Sequence, residues 1–267
     1  MTKPTVAIVG GGPSAAFALM ACTDLGIEPS IYSRGISIQP GAFWFHKLPE
    51  TFSRDFKKET ILVELVGRRQ DYIDKQWKNY QLPEDYASSF PLISHHVLGY
   101  SPAAVLTDLY LRRKQFKFHE LTGNLDDDGL KFLSTLHDFV FHSFPTQTAQ
   151  IENQDIIVNL PIIIEAEPNN SLMVVYNGLK DTTMVRISHL WGYKFTELPP
   201  VKKVEGGPIQ ASDALLSFIK DLVPTDRLVD FFQLRDQIIP IGRLARFDRK
   251  ALSHDAYDLV RGTIENY

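Results

Sequence analysis

The apolar pattern is densest near the N-terminus. Residues 5–9, TVAIV, are β-branched or small and apolar, which predicts a strand buried on both faces. Gly10, Gly11 and Gly12 follow at once. From Pro13 and Ser14 a helical pattern runs to Leu25, and Gly26 stands where a helix C-terminal cap is expected. Residues 28–32 then read as a second parallel strand, which completes a βαβ unit.

Further along, 60–66 predicts a strand, 71–80 a short amphipathic helix, and 82–94 an irregular connection around Pro83 and Pro91. Ser101 followed by Pro102 signals the start of a helix reaching Arg113, with Ala104, Val105 and Leu109 on one face. The run Asp126–Asp127–Asp128–Gly129 lacks the alternate-position ligand spacing of a calcium loop, so it predicts a turn that caps a helix over 130–136. Strands are expected at 138–145, 156–165, 172–176 and 184–190. Ser212 reads as the cap of a helix to Leu222. Residues 237–241 are apolar enough for a strand that Pro240 places at an edge, and Ser253 caps a terminal helix to Glu265. The order of elements implies an α/β fold.

Composition narrows the class. The chain has 267 residues, 44% of them hydrophobic, enough for one domain or one domain carrying an insertion. No run of 18 or more apolar residues occurs, so no membrane span is expected. Met1 leads almost directly into the first strand, leaving no room for a signal peptide, and the single cysteine, Cys22, has no intrachain partner. A cytoplasmic location is expected. The net charge of −4 offers no field for nucleic acid, so the expected partner is a small-molecule substrate. One cysteine and the absence of H-x-x-x-H spacing give no metal site.

The candidate chemistry begins at the glycine turn. Strand, glycine turn and helix in that order make a G-x-G-x-x-A fingerprint of Gly10, Gly12 and Ala15. Gly10 permits the turn, Gly12 lets backbone approach a pyrophosphate at the helix N-terminus, and Ala15 keeps the helix close to the strand. Pro13 and Ser14 open that helix. Where an acidic residue usually bonds the adenosine ribose, this chain has Ser33 and then Arg34. Ser33 would bond the ribose more weakly, or Arg34 would meet a 2′-phosphate as in NADP sites, or Arg34 is a solvated turn residue. In 35–48, GISIQPGAFWFHKL, Gly41 would allow close approach to a ligand, while Trp44 and His46 could stand beside a ring or simply pack. His142 and His95–His96 read as structural or surface residues.

A glycine turn at the start and a strand-glycine-arginine-helix unit at the end would put two helix N-termini near one ligand. Four segments carry a resemblance: VAIVGGGPSAA, QPGAFWFHKLP (39–49), VVYNGLKDTTMVRISH (174–189) and IIPIGRLARFD (238–248). Together they resemble the FAD-binding superfamily of amine oxidases and protoporphyrinogen oxidase, and within it UDP-galactopyranose mutase. The resemblance implies a Rossmann-like FAD-binding domain with an inserted, reduced substrate region. Residues 1–70, 126–150 and 201–267 would form the FAD-binding domain, 71–125 a mostly helical cap, and 151–200 the antiparallel strands of the substrate region.

Carried onto this sequence, the resemblance sets Gly10, Gly12, Pro13, Ser14 and Ala15 at the FAD pyrophosphate. Gly41, Ala42, Phe43 and His46 fall against the isoalloxazine, and Gly242 and Arg243 on the phosphate-ribityl side. Asp248 and His254 lead into a helix whose N–H groups face negative charge on the flavin. His46 is the first catalytic candidate and His189 with Arg186 the second; period-two spacing lets only one of the latter pair face the cofactor. The implied activity is an FAD-dependent oxidoreductase acting on a small amine, amino acid or related polar substrate. The alternatives are a non-redox flavoenzyme (a mutase, transferase or phage-type modified-nucleotide enzyme) and a non-catalytic FAD- or NADP-binding subunit.

Overall fold

The computed structural model describes residues 3–36, 43–84, 86, 94–123, 125–152, 154–168, 171–202, 209–211, 214–224, 234–246, 248 and 250–267. The chain begins with β1 (Val6–Val9), α1 (Pro13–Asp24), β2 (Ser30–Ser33), α2 (Glu50–Ser53), β3 (Glu59–Gly67) and α3 (Arg69–Trp77). It continues through β4 (His95–Gly99), α4 (Pro102–Thr107) with a π-helical extension over Asp108–Arg113, β5 (Lys117–Glu120), α5 (Asp127–Leu136), β6 (Phe139–His142) and α6 (Gln147–Glu152). Strands β7 (Ile157–Ala166), β8 (Met173–Gly178), β9 (Arg186–Leu190), β10 (Tyr193–Glu197), β11 (Ile209–Ala211) and β12 (Ala214–Leu222) follow. The last elements are β13 (Ile238–Pro240), α7 (Gly242–Arg246) and α8 (Asp255–Glu265).

Two sheets result. The first is parallel, in the order β13-β6-β1-β2-β5. The second runs β11-β12-β7-β10-β9-β8-β3-β4, antiparallel except for the β3–β8 pair. Strand β1 is central and fully buried because both of its faces are covered. Ile8 packs with α1 and α8, while Ala7 and Val9 pack with Leu130 and Leu133 of α5. Helix α1 is apolar all round, as a helix held between a sheet and a second helix must be, and its residues from Ala15 to Cys22 are all buried. It ends in a Schellman motif, with Gly26 N–H on Thr23 O and Ile27 N–H on Cys22 O. Ser101 and Asp126 cap α4 and α5 through their side-chain oxygens, and residues 127–129, expected as a turn ahead of the helix, form the first turn of α5. Pro240 lies in β13, an edge strand, where its missing donor costs no ladder bond.

Both α1 and α8 run against the parallel strands. Helix α1 ends at Leu25 and Gly26, whose carbonyls accept from Lys3 at the head of β1. Beyond α8, Tyr267 packs edge-on against Phe139, the first residue of β6, with ring centres 5.1 Å apart. The two helix N-termini therefore share the C-terminal edge of the sheet.

The structure corrects three expectations. The helix expected up to Leu222 is strand β12, which pairs with β7 along its whole length; Ser212 lies outside the described residues. The strand over 59–67 belongs to the second sheet, and 117–120 to the parallel one. His254, not Ser253, is the N-cap residue of α8. No helix among the described residues is long and apolar enough to cross a membrane.

Candidate functional site

The glycine turn sits between β1 and α1. Gly10 takes φ +121°, and a Cβ there would run into the Ser143 side chain that follows β6. A Cβ on Gly11 would strike Gly35 O and, at 2.9 Å, Ser33 Oγ, so this middle glycine is the one that lets the turn after β2 close over β1. Gly12 is different. It is the N-cap of α1, and nothing lies within 4 Å of the place its Cβ would take. With Pro13 at the first helical position, the first turn of α1 presents N–H groups that have no intrahelical acceptor, beside that open space. Ala15 is fully buried against the core.

The last segment of the chain arrives at the same place. Gly242, at φ +78°, lies so close to α1 that a Cβ would overlap Ser14 Oγ and Cβ. The next residue, Arg243, sends Nη1 to Asp221 Oδ1 on β12 at 3.3 Å. Asp248 sits in the turn after α7, where its backbone N–H bonds Arg243 O and its carboxylate accepts from Lys250 N–H. His254 stands edge-on to Phe17 of α1 with ring centres 6.4 Å apart, and Tyr257 donates to Asp24 Oδ2 at 2.6 Å.

At the end of β2 the Ser33 hydroxyl donates to Gly35 O at 2.6 Å, and the side chain is buried. Arg34 is exposed and has no ion pair among the described residues. Gly41 and Ala42 lie outside the described residues. Beyond them the chain alternates. Phe45 faces α1, 5.1 Å from the Phe17 ring centre, with the half-buried Phe43 beside it. Trp44 points the other way, onto Gly99 and the core of the second sheet. His46 follows on the side of Trp44, whose indole N–H donates to its Nδ1 at 3.1 Å. Loss of water around the ring, then the charges of His254 and Lys58, hold the His46 pKa below its ordinary value.

Arg186 and His189 lie on opposite faces of β9, as their spacing requires. Arg186 faces its cross-strand neighbours Glu197, with which it forms an ion pair, and Tyr176. Burial pushes the Glu197 carboxyl upward and the guanidinium beside it draws it back, while Arg186 stays charged. Asp221 adds its charge to Glu197, so Arg186–Glu197 and Asp221–Arg243 form one polar cluster leading from the second sheet to the glycine turn. His189 bonds Glu167 through Nδ1 near the far end of β7, away from Asp221. The structure therefore brings Ser14 of the glycine turn and Gly242 together, with Arg243 next in sequence turned to Asp221; His254 lies beside Phe17 of α1, and His189 stays outside. Sequence reasoning missed Asp221, Glu197 and Lys58. Asp221 was hidden by the expected helix, and the other two carry no motif.

No family model and no curated protein matches the sequence. Solved structures do match. Glycine oxidase from Bacillus cereus ATCC 14579 superposes with TM-score 0.55 at 10% identity, covering 99% of this chain and 98% of that one. Reduced UDP-galactopyranose mutase gives TM-score 0.53 at 10% identity, covering 100% of this chain and 94% of the mutase. The fold is that of the FAD-binding Rossmann-like flavoproteins. Against the flavin-dependent halogenase CmlS, at TM-score 0.46 and 14% identity, the chain spans 57% of the other's length. Identities this low carry the flavoprotein fold and no particular family within it.

Proposed function

We propose that this chain binds FAD and oxidises a small amine, an amino acid or a related polar molecule. The observation that carries the reading is the contact of Gly242 with Ser14, which gives the dinucleotide turn a second wall from the far end of the chain. The open space at Gly12 fits the close approach of a pyrophosphate, and the N–H groups of α1 would hold its charge. Arg243, one residue from the Gly242 contact, adds a cation to that end of the cradle. Helix α8 brings a second positive helix end to the same sheet edge. A cradle walled from both ends favours FAD over NADP.

When bound, FAD supplies the acceptor for the electron pair taken from substrate. The residues of this chain bind, orient and shield. Phe45 anchors the 43–48 segment on α1, while Trp44 and His46 face the second sheet, so a substrate would enter between those layers. Anaerobic titration of the purified flavin-loaded protein with amines and amino acids tests the reading. Bleaching of the visible flavin band by one class is expected. Firm flavin binding with no bleaching by any of them, and activity seen only after chemical reduction, would replace the oxidase reading with the mutase one.

A further inference from the structure

We propose that Lys58 and His46 form a subsite for a carboxylate, with Trp44 as the residue that positions the His46 ring. Naming that carboxylate as part of the substrate rests on the flavoenzyme reading; the subsite itself does not.

Backbone pairing brings the groups together. Phe45 and Tyr100 exchange two hydrogen bonds, Phe45 N to Tyr100 O at 3.1 Å and Tyr100 N to Phe45 O at 2.9 Å. The Lys58 ammonium lies over the Tyr100 ring, 5.5 Å from its centre, and His46 is the residue after Phe45. Both side chains belong to exposed residues. Lys58 has no ion pair among the described residues, although its neighbour Lys57 bonds Glu59 at 3.3 Å. Glu59 also accepts from Trp191 Nε1 at 2.7 Å, so the nearest carboxylate in sequence is engaged twice. His254, the third basic group here, has Nε2 3.6 Å from Asp255 Oδ1.

Trp44 decides what His46 offers. An indole N–H can only donate, so Nδ1 of His46 accepts and the ring proton of the neutral form resides on Nε2. The lowered pKa keeps that neutral form in place at neutral pH. His46 therefore presents an oriented Nε2–H beside the Lys58 ammonium, which has no counter-ion among the described residues. One cation and one directed donor match the two oxygens of a carboxylate. In this state His46 is a hydrogen-bond donor, and a proton leaving the substrate would go to another acceptor.

The test is an NMR titration of the full-length protein with 13C-acetate, with the flavin content of each preparation measured separately. Saturable acetate binding is expected, weakened about tenfold or more in Lys58→Met and in His46→Ala. Nitrogen-15 shifts of the His46 ring should report the Nε2–H tautomer in the wild type and a mixture of tautomers in Trp44→Phe. Absence of acetate binding, undiminished affinity in Lys58→Met, or an Nδ1–H tautomer in the wild type overturns the proposal. Unchanged flavin content in the variants separates its failure from failure of the flavoenzyme reading, which a wild type that neither carries nor takes up FAD would show by itself.

Discussion

The backbone of Gly242 rests on the side chain of Ser14, so the strand that closes the parallel sheet leads into the first turn of the helix that opens it. Both positive φ and lack of space exclude a side chain at 242. Gly242→Ala is expected to lower stability by about 2 kcal/mol or more and to weaken FAD binding with it. Urea unfolding and FAD fluorescence titration on the same samples check this. Unchanged unfolding would show that the contact is not tight.

The two outer glycines of the turn should behave differently. Gly10→Ala meets Ser143 in a strained backbone conformation and should destabilise the flavin-free protein by about 2 kcal/mol. Gly12→Ala projects into open space, so its effect on folding should stay below about 1 kcal/mol while FAD affinity drops. Comparing apo-protein stability with FAD affinity across the pair separates a glycine needed by the chain from one needed by the ligand.

Glu197 is buried beside Arg186, and removing one partner leaves the other charge in a poorly solvated place. Glu197→Ala should cost about 3 kcal/mol, and the double variant Arg186→Met/Glu197→Leu should recover much of it. Chemical denaturation of the single and double variants measures the coupling.

His142 is buried at the end of β6, where its Nδ1–H donates to Phe144 O. Burial lowers its pKa from 6.5 to about 4, against the smaller upward pull of that hydrogen bond and of Asp127. The unfolded chain thus binds a proton that the folded chain refuses between those values. The stabilisation is complete above pH 6.5 and is lost as pH falls toward 4, by about 3 kcal/mol at most. His142→Gln should flatten that part of the stability–pH curve measured by urea titration; an equally steep curve would assign the acid sensitivity to other groups.

How much of this could be read in advance depended on whether the signal was local. The glycine turn, its strand and the Gly26 cap follow from neighbours within a few residues, and they stand as the sequence implies. Ser101 and Asp126 were equally legible, because a cap is a local hydrogen bond. Strand β12 was not. Its run ALLSFIKDL supports either period, and only its pairing with β7 decides for the strand. That error hid Asp221, the partner of Arg243. Strand β5, Lys117–Glu120, is exposed throughout and so lacks the apolar signal by which strands are recognised. The Trp44–His46 bond spans only two residues, but it depends on both side chains leaving the extended backbone on the same side, which Phe45 sets by packing on Phe17 and bridging to Tyr100.

The turn at Gly10–Gly12, walled by Gly242, is the part of the molecule that would hold the FAD pyrophosphate. The most direct measurement is the visible absorption spectrum of the purified protein, followed by release and identification of any bound nucleotide. A yellow protein with flavin bands is expected, or one that acquires them on incubation with FAD, releasing FAD on denaturation. A colourless protein that takes up no added FAD would contradict it.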